Sequence, residues 1–103
     1  MTPEGKVKHK IKEILRSHDV WYFMPRGTAL GTSGVPDFIC CVNGRFLAIE
    51  AKAEKGKLSA LQVQQMMAIR DKGKGCAITY YPGNEDLLER LIRILKCLPQ
   101  DQK

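Results

Sequence analysis

Apolar residues recur along the chain in short runs, and the period within each run predicts its element. Val7, Ile11, Ile14 and Leu15 fall on one stripe at helical spacing, with Lys6, Lys8, Lys10, Lys12 and Arg16 largely off it. Thr2-Pro3-Glu4 opens this helix with an N-cap hydroxyl, a proline at the first helical position and an acid at the positive helix end, and the stripe carries it to about Ser17. Val20 to Met24, aromatic and branched, reads as a short strand, and Pro25 to Gly34, rich in glycine, reads as a mobile loop. Asp37 to Val42 and Arg45 to Lys52 are strand-like runs joined by Asn43-Gly44, which supplies the positive φ angles of a two-residue type I′ turn. Ser59 starts a second helix, with Gln62 completing a capping box, Gly73 available to end it, and Leu61, Met66, Met67, Ala68 and Ile69 as apolar content. Cys76 to Tyr81 is a further strand closed by Pro82-Gly83. Asn84 then caps a last helix whose Leu87, Leu88, Leu91, Ile92, Ile94, Leu95 and Leu98 exceed one narrow stripe. The order αβββαβα predicts an α/β fold, a mixed central sheet flanked by helices, with no internal repeat.

At 103 residues the chain fits one domain, taken as residues 1–98 with a short polar tail at 99–103. Its 44% hydrophobic and 27% charged content is that of an ordinary globular protein. A net charge of +6, concentrated in residues 6–16, 45–57 and 70–74 rather than in a tail, points to a polyanionic partner, although charge alone does not separate nucleic acid from an acidic protein or a membrane surface. No apolar stretch approaches the length of a membrane span and no signal-peptide core opens the chain, so a soluble intracellular protein is expected. Cys40, Cys41, Cys76 and Cys97 form no C-x-x-C pair and have no histidine at metal-binding spacing, which argues against zinc and predicts buried thiols. His9 and His18 read as solvated surface side chains.

The hairpin carries the chemistry. With Asn43-Gly44 as the turn, Val42 pairs with Arg45, and counting outward brings Phe38 opposite Ile49 and Asp37 opposite Glu50. Two carboxylates directly across an antiparallel pair lie about 5 Å apart at Cβ and repel each other. A positive group must compensate, and Lys52, two residues beyond Glu50, returns to the same face. A divalent cation is the other candidate, because converging carboxylates suit a hard ion that takes oxygen ligands. An exposed ion pair beside a turn acid would give the same residues, yet an acid and an amine closing an almost wholly apolar strand call for a reason.

Through Gly34-Val35-Pro36-Asp37, then Glu50-Ala51-Lys52, then Leu58-Ser59-Ala60-Leu61-Gln62, the chain resembles the PD-(D/E)xK nucleases, most closely their VRR-NUC branch, over about residues 3–80. The resemblance implies the mixed sheet with flanking helices and Mg²⁺- or Mn²⁺-dependent cleavage of phosphodiester bonds. By motif position it makes Asp37 and Glu50 metal ligands, the Ala51 carbonyl a further ligand and Lys52 the catalytic lysine. Gln62 occupies a family glutamine position at the start of the second helix, where the resemblance has it help hold the water or substrate phosphate near the metal. It reads equally well as the reciprocal partner of the Ser59 cap, the two roles being compatible only if the amide alternates between them. Glu4 resembles a first-helix acid of the wider superfamily, against a simple role at the helix dipole and with Glu13 as its rival.

Isolated domains of this type resemble homodimeric enzymes that cut four-way (Holliday) junctions, and the resemblance places them in bacterial or phage-infected cytoplasm. The expected partner is therefore branched DNA, contacted by Lys6, Lys8, Lys10, Arg26, Lys55 and Lys57. The last helix and the run Trp21-Tyr22-Phe23 offer a dimer surface, against ordinary core packing. A nicking or flap nuclease with the same active site, a non-catalytic nucleic-acid-binding module and a basic protein-interaction domain are the alternatives.

Overall fold

The computed structural model describes residues 1–26 and 31–100; residues 27–30 of the expected loop and 101–103 of the expected tail lie outside the described residues. The element order is α1 (Pro3–Ser17), β1 (Trp21–Phe23), β2 (Phe38–Val42), β3 (Arg45–Ala51), α2 (Ala60–Asp71), β4 (Cys76–Tyr80) and α3 (Glu85–Cys97), the order αβββαβα expected from the sequence.

The sheet runs β1-β2-β3-β4 and is mixed. β1 to β3 are antiparallel neighbours, and β4 lies parallel to β3, with α2 as the crossover that a parallel pair requires. Asn43 (φ 54°) and Gly44 (φ 77°) both take positive φ, as a type I′ turn demands. That turn fixes the register at Val42↔Arg45 through Phe38↔Ile49, the pairing counted from the sequence.

Strand alternation sorts the two faces. Phe38, Cys40, Val42, Leu47, Ile49, Ala51 and Tyr80 form the main core with the buried stripes of α1 and α3, namely Val7, Ile11, Ile14, Leu15, Leu88, Ile92 and Leu95. The opposite face holds a smaller cluster of Ala48, Ala77 and Met66, flanked by Ile39, Leu58 and Ile69. Because α2 covers only that part of the sheet, Trp21, Phe23 and Phe46 stay exposed, as do Leu61, Val63 and Met67 on α2 itself. Met66 is the one fully buried side chain of the apolar set predicted for this helix. No described helix is long and apolar enough to cross a membrane.

Several local expectations change. β1 is shorter than Val20 to Met24, and Asp37 and Lys52 lie just outside β2 and β3. Asn84 occupies the N-cap position of α3 without capping it: its Oδ1 accepts from the Tyr81 N–H at 2.9 Å, closing the preceding turn. Glu85 and Asp86 are left to face the positive helix end. Only Cys40 of the four thiols is buried, since Cys41 points to the sparsely covered sheet face and Cys97 lies at the exposed end of α3. His18 is not a free surface residue: it is half-buried, with Nε2 at 3.2 Å from Glu89 Oε2, because the chain leaving α1 packs against α3. The hairpin turn is itself anchored, with Asn43 Nδ2 donating to the Leu98 carbonyl at 2.8 Å and Arg45 Nη2 to that of Pro99 at 2.7 Å.

Candidate active site

Where β3 ends, three elements meet. Glu50 is the last side chain of β3 on the α2 face, and at 3% exposure it is the one buried charged residue among those described. Asp37, immediately before β2, reaches the same strand end as the hairpin register requires. Its N–H donates to Glu50 Oε1 at 3.2 Å, and its Oδ2 accepts from the Ala51 N–H at 2.9 Å. Glu50 is thus held by the Asp37 backbone and Asp37 by that of Ala51, which keeps the two carboxylates together despite their repulsion.

Helix α1 delivers the third acid. Glu4 stands one turn before Val7 and Lys8 at the open end of the buried stripe, and ligand oxygens of Glu4, Asp37 and Glu50 lie within 4.8 Å of one another. Glu13, the rival acid, faces away with His9 at 3.0 Å and Lys10 at 3.8 Å.

Two ammonium groups flank the acids. Lys52 Nζ lies 3.6 Å from Glu50 Oε2, and Lys8 Nζ lies 3.6 Å from Asp37 Oδ1. Lys8 was expected on the outer cationic surface of α1. Its spacing of four from Glu4, three from Ile11 and seven from Leu15 puts it beside the buried stripe, a signal that the alternating lysines of the segment conceal. Lys6, Lys10, Arg26, Lys55 and Lys57 are all exposed, but Lys6 and Lys10 lie on a different side of α1 from Lys8.

Gln62 completes the cap and also reaches the buried acid. Its Oε1 accepts from the Ser59 N–H at 2.8 Å while Ser59 Oγ accepts from the Gln62 N–H at 3.2 Å, completing the capping box. Its Nε2 meanwhile donates to Glu50 Oε2 at 2.7 Å. The acceptor end of the amide makes the cap and its donor end the bond to Glu50, so these two bonds coexist. The cap holds the amide in the orientation that places the donor on Glu50, so the start of α2 fixes one oxygen of the buried acid.

Glu50 has the most perturbed ionisation of the cluster. Burial first, and the neighbouring Asp37 charge second, push its carboxyl from the usual 4.5 up to about 7, against a partial downward pull from Lys52 and the Asp37 N–H. A cation entering the cluster would relieve both causes.

The approach to Asp37 depends on Gly34, whose φ is +80°. A Cβ there would stand 2.6 Å from the Leu61 carbonyl carbon and oxygen in the first turn of α2. Gly34→Ala is therefore expected to cost about 2–3 kcal/mol, combining left-handed strain with a backbone clash that no rotamer relieves. Thermal unfolding should show this loss, since the Val35-Pro36-Asp37 segment must shift. A wild-type melting temperature would mean that the segment relaxes without cost.

No protein-family model matches the chain, and no curated protein matches it either.

Proposed function

We propose that the chain is a divalent-metal-dependent DNA endonuclease, a VRR-NUC-type member of the PD-(D/E)xK superfamily that acts on branched DNA as a homodimer. The observation that carries this reading is the convergence of Glu4, Asp37 and Glu50 within 4.8 Å, with Lys52 at 3.6 Å from the buried acid. An all-oxygen donor set fits Mg²⁺ or Mn²⁺ and suits neither zinc nor softer metals. Glu4, Asp37, Glu50 and the adjoining Ala51 backbone would hold such an ion. When bound, it supplies a Lewis acid beside a phosphodiester and the means to acidify a water.

The chain's own groups account for the remaining parts. Lys52 presents an ammonium where negative charge grows on the phosphoryl oxygens during attack, an interaction stronger in the transition state than in the ground state. Gln62 and the Asp37 N–H hold the two oxygens of Glu50 in place, so the acid need not reorganise. Lys8 balances Asp37, leaving three carboxylates against two ammonium groups and hence a net demand for positive charge. Exposed Arg26, Lys55 and Lys57 supply sequence-independent attraction for phosphates.

The dimer reading draws on α3. Leu87, Ile94 and the following Leu98 remain exposed beside the buried stripe, with Leu91 between them. Glu85, Asp86 and Glu89 occupy the first part of the helix and Arg90, Arg93 and Lys96 the second, so two copies meeting antiparallel along this stripe would set opposite charges against each other.

The test is to incubate the protein with labelled four-way, flap, single-stranded and linear duplex DNA in Mg²⁺, Mn²⁺ or EDTA, with light scattering in parallel. Cleavage that requires metal and favours the four-way junction, by a species of twice the chain mass, is expected. Failure to cut any DNA in either metal overturns the nuclease reading; a monomer that cuts flap or linear DNA equally well removes only junction resolution.

A further inference from the structure

Helix α2 covers only half of its side of the sheet. Met66 packs on Ala48 and Ala77, over β3 and β4, and the β1–β2 half is left open. Strand alternation and register set two rows of side chains on that half: Trp21, Cys41 and Phe46 in one, Phe23, Ile39 and Ala48 in the next. Counting on past Phe38↔Ile49, Asp37 and Glu50 make the following row of the same face. The two apolar rows therefore lie about 13 Å and about 7 Å along the strands from the carboxylate cluster. All three aromatic side chains are exposed, Trp21 at 63%. The Trp21 and Phe23 rings meet edge to face, 5.8 Å apart and inclined at 62°, so neither is hidden by parallel stacking.

The borders of this platform are cationic at both ends. Along one side runs α2, with Leu61 against Gly34 near the cluster and Ile69 near the far end, where a Cβ on Gly75 would stand 3.1 Å from the Phe46 ring and 3.3 Å from Ile69. Lys72 and Lys74 lie in the turn that brings Gly75 to that ring. At the other end β1, antiparallel to β2, runs toward the cluster and is followed by exposed Arg26, while Lys8 and Lys52 stand beside the acids themselves.

We infer that this platform receives the unpaired strand of a DNA substrate as it leaves the carboxylate cluster, its bases lying on Phe23, Trp21 and Phe46 and its phosphates drawn by the cations at either end. Every base has a π face, so exposed aromatic rings hold a single strand whatever its sequence. Bases within a duplex are already stacked on one another and do not reach such a surface. At about 3.4 Å per stacked nucleotide, the two rows correspond to about two and about four nucleotides from the cluster. A second copy of the chain fits this face less well. A two-fold contact sets a patch against itself, and with cations at both ends either direction of approach brings like charges together. The inference rests on the nuclease reading for the identity of the strand, and it gives that reading a source of preference for branched over linear DNA.

Trp21 is the only tryptophan of the chain, so its fluorescence reports on the platform directly. The full chain in EDTA is titrated with an oligothymidylate of about 12 nucleotides and, separately, with a blunt DNA hairpin, following Trp21 emission and the anisotropy of labelled copies. Cleavage in Mn²⁺ and light scattering are measured on the same preparations. The single strand is expected to quench Trp21, and the hairpin to bind without quenching it. Phe23→Leu and Phe46→Leu keep an apolar side chain but lose the ring, so each should weaken the single strand about fivefold or more and leave the hairpin within about twofold. The slope of log affinity against log salt should not change, because no phosphate contact is lost. Melting temperatures should stay near wild type, since both side chains are exposed. Quenching and these losses in a protein that cuts no DNA would keep the platform and reject the nuclease. An unquenched Trp21, or leucine variants that bind the single strand as tightly as wild type, in a protein that still cleaves, overturns the platform and leaves the nuclease standing. A wild-type dimer that Phe23→Asp converts to a monomer would assign the face to a second copy and overturn the platform as well.

Discussion

Replacing Glu50 by Gln should abolish metal-dependent cleavage, by at least about 10³-fold, and should make the metal-free protein more heat-stable near neutral and alkaline pH. The two effects have one cause. Glu50 is 3% exposed and faces Asp37, so its carboxyl is raised from 4.5 to about 7 in the folded chain. The fold therefore binds this proton more tightly than the unfolded chain does. The stability linked to protonation is fully present below about pH 4.5, declines as pH rises, and is lost above about pH 7, where the ionised carboxylate costs about 3 kcal/mol. Gln removes the charge but recovers less than this. Both Glu50 oxygens accept hydrogen bonds, one from the Asp37 N–H and one from Gln62 Nε2, and an amide must turn its NH₂ toward one of those donors. A net gain of about 1–2 kcal/mol, or about 5–10 °C in melting temperature, is the expected result at about pH 8. Mn²⁺ should raise the melting temperature of the wild type at that pH, do little near pH 5, and leave Glu50→Gln unmoved, since ion and proton compete for the same oxygens. A variant that melts lower than wild type at alkaline pH would show that the buried carboxylate is already compensated. A variant that cleaves within about tenfold of wild type would remove Glu50 from the chemistry.

How much of this was legible in the sequence differs from element to element. The hairpin register followed from Asn43-Gly44 because a two-residue turn leaves no freedom in the pairing, and Asp37 and Glu50 came together from that count alone. The stripe of α1 gave Val7, Ile11, Ile14 and Leu15 as its buried face. The role of Lys8 was hidden for the opposite reason: in a segment where every second residue is basic, charge does not distinguish a lysine beside the stripe from one across the helix. Leu61 and Met67, part of the apolar content read for α2, are exposed, because an apolar helix sequence does not show how much sheet lies beneath it. Gln62 shows a middle case. Its cap was readable from Ser59-x-x-Gln62, but its second bond required knowing that α2 starts beside the end of β3.

The two lysines of the cluster should separate in kinetics and in metal binding, although each lies 3.6 Å from a carboxylate oxygen. Lys52 lies within the site beside Glu50 and has its largest task in the transition state, so Lys52→Ala should lower kcat by about 10²–10³-fold with KM changed by no more than about threefold. Lys52→Arg should recover only part of that loss, since a planar guanidinium is bulkier and does not release its proton near neutrality. Lys52 also holds the Glu50 carboxyl down, so its removal should raise that group further. The pH at which Mn²⁺ begins to raise the melting temperature should then move upward in Lys52→Ala, a shift that a lysine serving only the phosphate would not produce. Lys8 pairs with Asp37 from the more exposed side, where it occupies part of the charge field that a cation would enter. Lys8→Met should therefore bind Mn²⁺ more tightly than wild type while cleaving about tenfold more slowly, because the countercharge that competes with the ion before binding also serves the phosphate afterward. Isothermal titration with Mn²⁺ and steady-state kinetics on the same preparations decide the matter. Weaker ion binding in Lys8→Met would make Lys8 a structural support for Asp37 rather than a competitor for it, and an unshifted pH limb in Lys52→Ala would uncouple Lys52 from Glu50.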